Sequence, residues 1–164
     1  MTQDETNARL VGVSLDEKSL SHLHPDLERE KRIDIHDLLE SNQFSPVASY
    51  PGGYTGPFQL RMRVTASLVL FDILNKDGDP LETIELPGAG LNAAVRDYIS
   101  VCESYFAMAN TGNAHQIETI DMARRAIHNE AADALMEQLA PRLAIDLYTA
   151  RRLFRLICLL ELRG

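Results

Sequence analysis

The stretch from His115 to Leu139 carries charged residues where an ordinary amphipathic helix carries only apolar ones. With about 100° of rotation per residue, Ile117, Ile120, Ile127, Ala131, Leu135 and Leu139 fall within one arc of roughly 120°, the width of a core-facing stripe. Arg124 projects from the middle of that arc. Asp121 and His128 lie on its shoulder, three residues before and four after Arg124, so the three side chains share one helix face. Such a set has two uses. In the structural one, Asp121 neutralises Arg124, because an unpaired charge on a buried face is strongly destabilising. In the ligand-binding one, Arg124 clamps a carboxylate or phosphate, His128 is the candidate catalytic acid or base, and Asp121 orients one of them. Glu103 supplies a second carboxylate to that site, which makes the ligand-binding candidates Asp121, Arg124, His128 and Glu103. Glu130 projects roughly 160° or more away when measured against Asp121 by the same rotation and is set aside.

Other chemistries fit less well. His128, Asp121 and Glu103 offer nitrogen and oxygen donors, but their spacing is not a ligand pattern and Arg124 between them repels a cation, so neither a metal nor a cofactor is expected. There is no glycine-flanked nucleophile turn and no glycine-rich, lysine-terminated phosphate loop; the glycines at 52, 53 and 56 precede no helix start. Cys102 and Cys158 fall on or beside apolar helix faces, as buried thiols do, rather than forming a disulfide framework. An enzyme is not the first expectation.

Three further arginines, Arg151, Arg152 and Arg155, occupy one arc of about 100° on the last helix. A nucleic-acid face is conceivable there, since the Pro141 break permits a helix-turn-helix outline. The net charge of −8 argues against a polyanion partner. Residues 112 to 164 hold seven Arg or Lys and seven acids, so that half is neutral and the acidity lies earlier. Salt bridges to the acidic half, with arginine stems covering apolar neighbours, are the expected use of the three.

The elements that must position these groups follow from pattern. Residues 8 to 15 alternate around Val11, Val13 and Leu15 as a first strand. Pro25, with Asp26 and Glu28 behind it, starts a helix running to about Leu39, whose cluster of Glu28, Arg29, Glu30, Lys31, Arg32 and Asp34 reads as a solvated face. Residues 41 to 57 hold three prolines, three glycines, Tyr50 and Tyr54, fit no regular element, and are expected to be a flexible loop or a lid. Phe58, Leu60, Met62 and Val64 then alternate with polar residues in a half-buried strand. Leu68 to Leu74 is apolar on both sides except for Asp72, as in an interior strand. Asn75 to Asp79 supplies turn chemistry, and Leu81 to Leu86 makes an acidic edge strand. A helix from about Leu91 to Ala109 follows, Gly112 offers a left-handed cap, and the long helix doubles back as a hairpin. The final helix starts between Asp146 and Thr149 and ends near Leu162, with apolar residues around most of its circumference.

The expected fold is therefore a single α+β domain: a mostly antiparallel sheet of about four strands, helices on one face, and a C-terminal helical hairpin plus a final helix. At 164 residues the chain is long enough to bury roughly 70% of its unfolded surface. No apolar run approaches a membrane span, and Met1 to Ala8 lacks an export signal core, which points to a cytoplasmic protein.

Asp97-Tyr98 with Cys102-Glu103-Ser104-Tyr105, Ile117-Glu118 with Ile120-Asp121-Met122 and Arg124-Arg125, His128-Asn129-Glu130, and Thr149 to Phe154 with Leu156-Ile157-Cys158 resemble an uncharacterised protein family of alphaproteobacteria, of the UPF 0262 type. The likeness covers nearly the whole chain. Ala131 stands where that family's pattern suggests glycine. The resemblance implies a bacterial cytosolic protein with one domain and brings no activity or site residues with it. Two functions follow as expectations. The first is a noncatalytic interaction or regulatory protein, a homo-oligomer or a protein's partner, with the apolar final helix as interface. The second is a small anionic-ligand binder or enzyme using Arg124 and His128, which requires a concave pocket reaching Arg124.

Overall fold

The computed structural model describes residues 7–16 and 25–161. Most of the polar N-terminal segment and the polar stretch after Asp16 lie outside the described residues, as does Leu162. The elements in order are β1 (Leu10–Leu15), α1 (Pro25–Glu40), β2 (Phe44–Pro46), a 3-10 turn (Pro51–Gly53), β3 (Phe58–Val64), β4 (Leu68–Leu74), β5 (Pro80–Pro87), α2 (Gly88–Thr111), α3 (Ala114–Leu139), β6 (Leu143–Ile145) and α4 (Leu147–Glu161).

The four-stranded sheet has the order β1-β3-β4-β5 and is mixed rather than mostly antiparallel. β3, β4 and β5 form the expected antiparallel meander with β5 at the edge. β1, however, pairs parallel to β3, Val13 opposite Leu60 and Leu15 opposite Met62. The reason is the strand, helix, strand order: α1 is the crossover that returns the chain to the same end of the sheet, and only such a connection joins parallel neighbours. The alternation in β3 then decides the faces. Leu60 opposes Ile73, Met62 opposes Phe71, and Val64 opposes Val69, all buried on the inner face. The outer face is polar: Asp72 accepts hydrogen bonds from Arg63 at 2.7 and 2.9 Å and from Thr83 at 2.7 Å.

Residues 41 to 57 contain two regular pieces that the sequence pattern does not disclose. β2 pairs antiparallel with the three-residue β6, Phe44 opposite Ile145, forming a separate two-stranded sheet. β6 is itself an alternating Leu-Ala-Ile run just after Pro141, too short to stand out as a strand. Around these pieces, the Asn42 side chain accepts from Leu10 N at 2.7 Å and donates to the carbonyls of Leu10 and Leu38, clasping β1 to the end of α1. Tyr50 is buried and donates to Glu82, while Tyr54 stands edge-on to Phe58 at 5.7 Å. Gly56, at φ +121°, lies so close to the Asn7 carbonyl that a Cβ would sit 1.9 Å from it.

α2 and α3 pack along one another, α3 against α4, and α4 against α1. Gly112 between the hairpin helices has φ −89°, not the left-handed value expected of a cap. Its lack of a Cβ matters for space instead, since one would meet the Met108 carbonyl at 2.9 Å. α3 starts with a capping box: Asn113 accepts from Gln116 N at 2.9 Å, and the Gln116 side chain accepts from Asn113 N at 3.0 Å. α4 is capped by Asp146, which accepts from Thr149 N at 2.9 Å, and the Thr149 hydroxyl in turn accepts from Gln43 N at 3.0 Å.

α4 is the centre of the core. Leu153, Phe154, Leu156, Ile157 and Leu160 have no exposed surface within this one chain. Its apolar circumference is thus satisfied internally, and the face expected to serve as an interface is not a free surface. No described helix is long and apolar enough to cross a membrane. Phe154→Ala should lower stability by about 3–5 kcal/mol, as for other buried aromatic truncations. Urea unfolding followed at several protein concentrations checks this. The parent midpoint should not move with concentration, as it would if α4 were buried between chains.

Candidate functional site

Packing α4 against α3 sets two groups of cations face to face. α3 supplies Arg124 and Arg125 on one turn and His128 on the next; α4 supplies Arg151, Arg152 and Arg155. With Tyr98 from α2 and Tyr148 from the first turn of α4, these residues line a cavity of about 230 Å³. The lining contains five arginines and no carboxylate.

The carboxylates that balance them stand behind. Asp121 accepts from Arg124, whose Nε lies at 3.2 Å, and its other oxygen is 3.0 Å from Arg125. The hydrogen bond from Arg124 holds the Asp121 carboxyl below the usual carboxylate range. On the α1 side, Asp34 faces Arg155 at 3.4 Å and Arg152 at 3.8 Å, and Asp37 faces Arg152 at 3.6 Å. Four of the five guanidinium groups, those of Arg124, Arg125, Arg152 and Arg155, therefore share three carboxylates, Asp121, Asp34 and Asp37. The Nε of Arg151 is buried without a hydrogen-bond partner. Two tyrosines hold guanidinium planes in place: Arg124 lies 4.5 Å from the Tyr105 ring centre and Arg152 4.9 Å from that of Tyr148.

Asp34 is only 2% exposed, and burial pushes its pKa up to about 6 although Arg155 and Arg152 pull it down. The α1 charge cluster is therefore not wholly a solvated face. Lys31 and Glu28 pair on it at 2.8 Å, but Asp34 points inward to α4.

The sequence-predicted candidates separate. Asp121 and Arg124 are paired, as expected, yet Arg124 keeps about a third of its side chain exposed at the cavity instead of lying in the core. His128 turns away from Asp121. Its ring is 6% exposed, stacks at 4.8 Å on Tyr98, and places Nε2 2.9 Å from the Arg151 carbonyl. A carbonyl can only accept, so Nε2 carries the hydrogen and Nδ1 is bare. Burial lowers the His128 pKa to about 4, more than the carbonyl contact raises it, and Arg151, Arg155 and Arg152 lower it further. At neutral pH the imidazole has no proton to spare and is a weak base. Glu103 is exposed on α2 and lines a second cavity, which Arg124 also reaches. Asp34 and Tyr148 were not signalled by sequence, whereas the arc of Arg151, Arg152 and Arg155 was visible, and Arg152 and Arg155 of it make the expected ion pairs.

The depressed His128 pKa has a measurable sign. Between pH 6.5 and 4 the unfolded imidazole binds a proton that the folded one does not, so this group's contribution to stability is lost as pH falls through that window. Asp34, raised from 3.8 to about 6, acts in the opposite sense. Comparing the parent with His128→Gln cancels that opposing effect. The parent's stability relative to the variant should be roughly 2 kcal/mol smaller at pH 5 than at pH 7.5. Urea titrations of both at each pH measure it; equal differences at the two pH values would contradict the buried, neutral ring.

A UPF0262 protein of Sphingopyxis alaskensis is 46% identical to this chain over 161 residues, covering 98% of each chain. One of Erythrobacter litoralis is 41% identical over 156 residues, covering 95% of this chain and 98% of that one. A third, from Brucella canis, is 42% identical over 164 residues and the full length of both. No solved structure matches. Residues 7–163 match the family described as "Uncharacterised protein family (UPF0262)", and the chain belongs to that family.

Proposed function

We propose that this protein binds small oxyanions, phosphates or carboxylates, in the arginine-lined cavity between α3 and α4, and does so without catalysis. The observation that carries this reading is the excess of guanidinium groups over carboxylates around one concave space. Arginines ordinarily avoid one another unless an anion or counter-charge sits among them, and planar forks suit bidentate capture of carboxylate or phosphate. The surrounding protein is acidic overall, so the cavity is a local positive well that selects compact anions over extended polyanions. The weak basicity of His128 and its committed Nε2–H favour binding over proton transfer. This keeps the noncatalytic, regulatory character expected from sequence. It moves the contact surface from the apolar face of α4 to the arginine cavity.

Thermal unfolding in phosphate, pyrophosphate or sulfate tests the reading against chloride at equal ionic strength. A ligand at a hundred times its dissociation constant stabilises by about 2.7 kcal/mol, which for a chain of this size raises Tm by roughly 5 °C or more. Arg124→Met should weaken sulfate binding about tenfold, since it removes a charge-assisted hydrogen-bond donor. It should leave the urea midpoint of the free protein nearly unchanged. If chloride raises Tm as much as the oxyanions do, the site is not selective and the reading fails.

A pH dependence follows from Asp34. With its pKa near 6, acidification below that value neutralises the carboxylate that competes for Arg152 and Arg155. Sulfate, dianionic throughout, should bind severalfold tighter at pH 5.5 than at pH 7.5, and Asp34→Asn should flatten the difference. Calorimetric titration of both proteins at both pH values reads it.

A further inference from the structure

A second cavity of about 220 Å³ adjoins the first and shares Tyr98, Arg124 and Arg155 with it as a common wall. Its character is different. Ile99, Phe106 and Leu159 form much of its lining, together with the thiols of Cys102 and Cys158. Burial raises both thiol pKa values, so these sulfurs are neutral, soft wall and not anionic groups. Phe106 is 59% exposed at this cavity, an aromatic ring left in water beside a groove that an apolar ligand would extend. Glu30, Glu103 and Asp34 line this cavity too, Asp34 as the ion-pair partner of Arg155 at 3.4 Å, so its acids repel an anionic head and direct it to the first cavity, whose lining has no carboxylate.

We propose that the two cavities are subsites of a single site for an amphiphilic anion, with the arginines of α3 and α4 taking its oxyanion head and the groove beside Phe106 and Cys102 taking its apolar body. The inference rests on the oxyanion reading of the first cavity and adds the substrate class. Volume supports the combination: each cavity alone falls short of the roughly 300–1,000 Å³ usual for small-molecule sites, and joined they reach it. Charge complementarity sets the polarity of the ligand, because the first cavity is lined by five arginines and no carboxylate, whereas the second also holds Glu30, Asp34 and Glu103. Arg124 and Arg155, on the shared wall, are placed to hold the head at the junction while their stems face the body.

Calorimetric titration of the full chain with inorganic phosphate, butyl phosphate and octyl phosphate, the last below its micelle-forming concentration, provides the test. Affinity should rise about twofold to fourfold for each methylene that enters the groove. In Phe106→Ser, a change at an exposed position, the ratio of octyl phosphate to inorganic phosphate affinity should collapse toward one. Octyl phosphate, and not inorganic phosphate, should also slow alkylation of Cys102 by iodoacetamide, read by peptide mass spectrometry. Phosphate binding with no gain along the series overturns the amphiphile and leaves the oxyanion site standing; no binding of any member overturns both. A gain undiminished in Phe106→Ser, with Cys102 unprotected, places the alkyl chain elsewhere and overturns the inference. So does sedimentation with phosphatidic acid vesicles in the absence of binding to soluble octyl phosphate, since the ligand would then be a membrane surface.

Discussion

Burial of α4 is the constraint on which the rest depends. Leu153, Phe154, Leu156, Ile157, Leu159 and Leu160 surround most of its circumference, so the helix is stable only when wrapped on nearly all sides. α1, α2, α3 and β3 do the wrapping. Arg151, Arg152 and Arg155 cannot enter the apolar interior and are confined to the remaining seam. Because α3 closes that seam, its own Arg124 and Arg125 arrive opposite them. The cationic cavity is a consequence of placing an almost wholly apolar helix in the middle of a small domain.

A seam of like charges is destabilising unless something offsets it. Here the offset is incomplete and unevenly placed. Asp121 serves two arginines at the outer end and Asp34 two at the inner end, with Asp37 assisting. Asp34 gives up hydration to do this, which is why its proton affinity rises even between two cations. Replacing the cations beside Asp34, which is 2% exposed, would leave its charge with less compensation than water offers, whereas the partly exposed Asp121 keeps Arg125 when Arg124 is lost. The same balance leaves net positive charge facing the cavity, where an oxyanion can be held by side chains already in position.

His128 illustrates how context overrides residue type. On a helix beside Arg124 and Asp121 it has the look of an acid or base. In the fold it is a flat, neutral ring packed between Tyr98 and Phe154, its one hydrogen spent on a backbone carbonyl. Its contribution is to join α3 to α4 and to keep the floor of the cavity uncharged.

Local signals determined a good deal by themselves. Period-two alternation marked β3, turn chemistry marked the β4 to β5 connection, and proline and capping residues marked the bounds of α1, α3 and α4, because these depend on neighbours within one or two turns of chain. The pairing of Asp121 with Arg124 and the arc of Arg151, Arg152 and Arg155 were legible for the same reason. What depended on distant partners was not. Parallel pairing of β1 with β3 needs the crossover through α1, and β2 and β6 are three-residue pieces that become strands only by meeting each other. Asp34 is one acid among several until α4 is laid across α1. The convergence of five arginines belongs wholly to the packing of α3 on α4, since periodicity tells which face a side chain occupies but not what lies opposite that face.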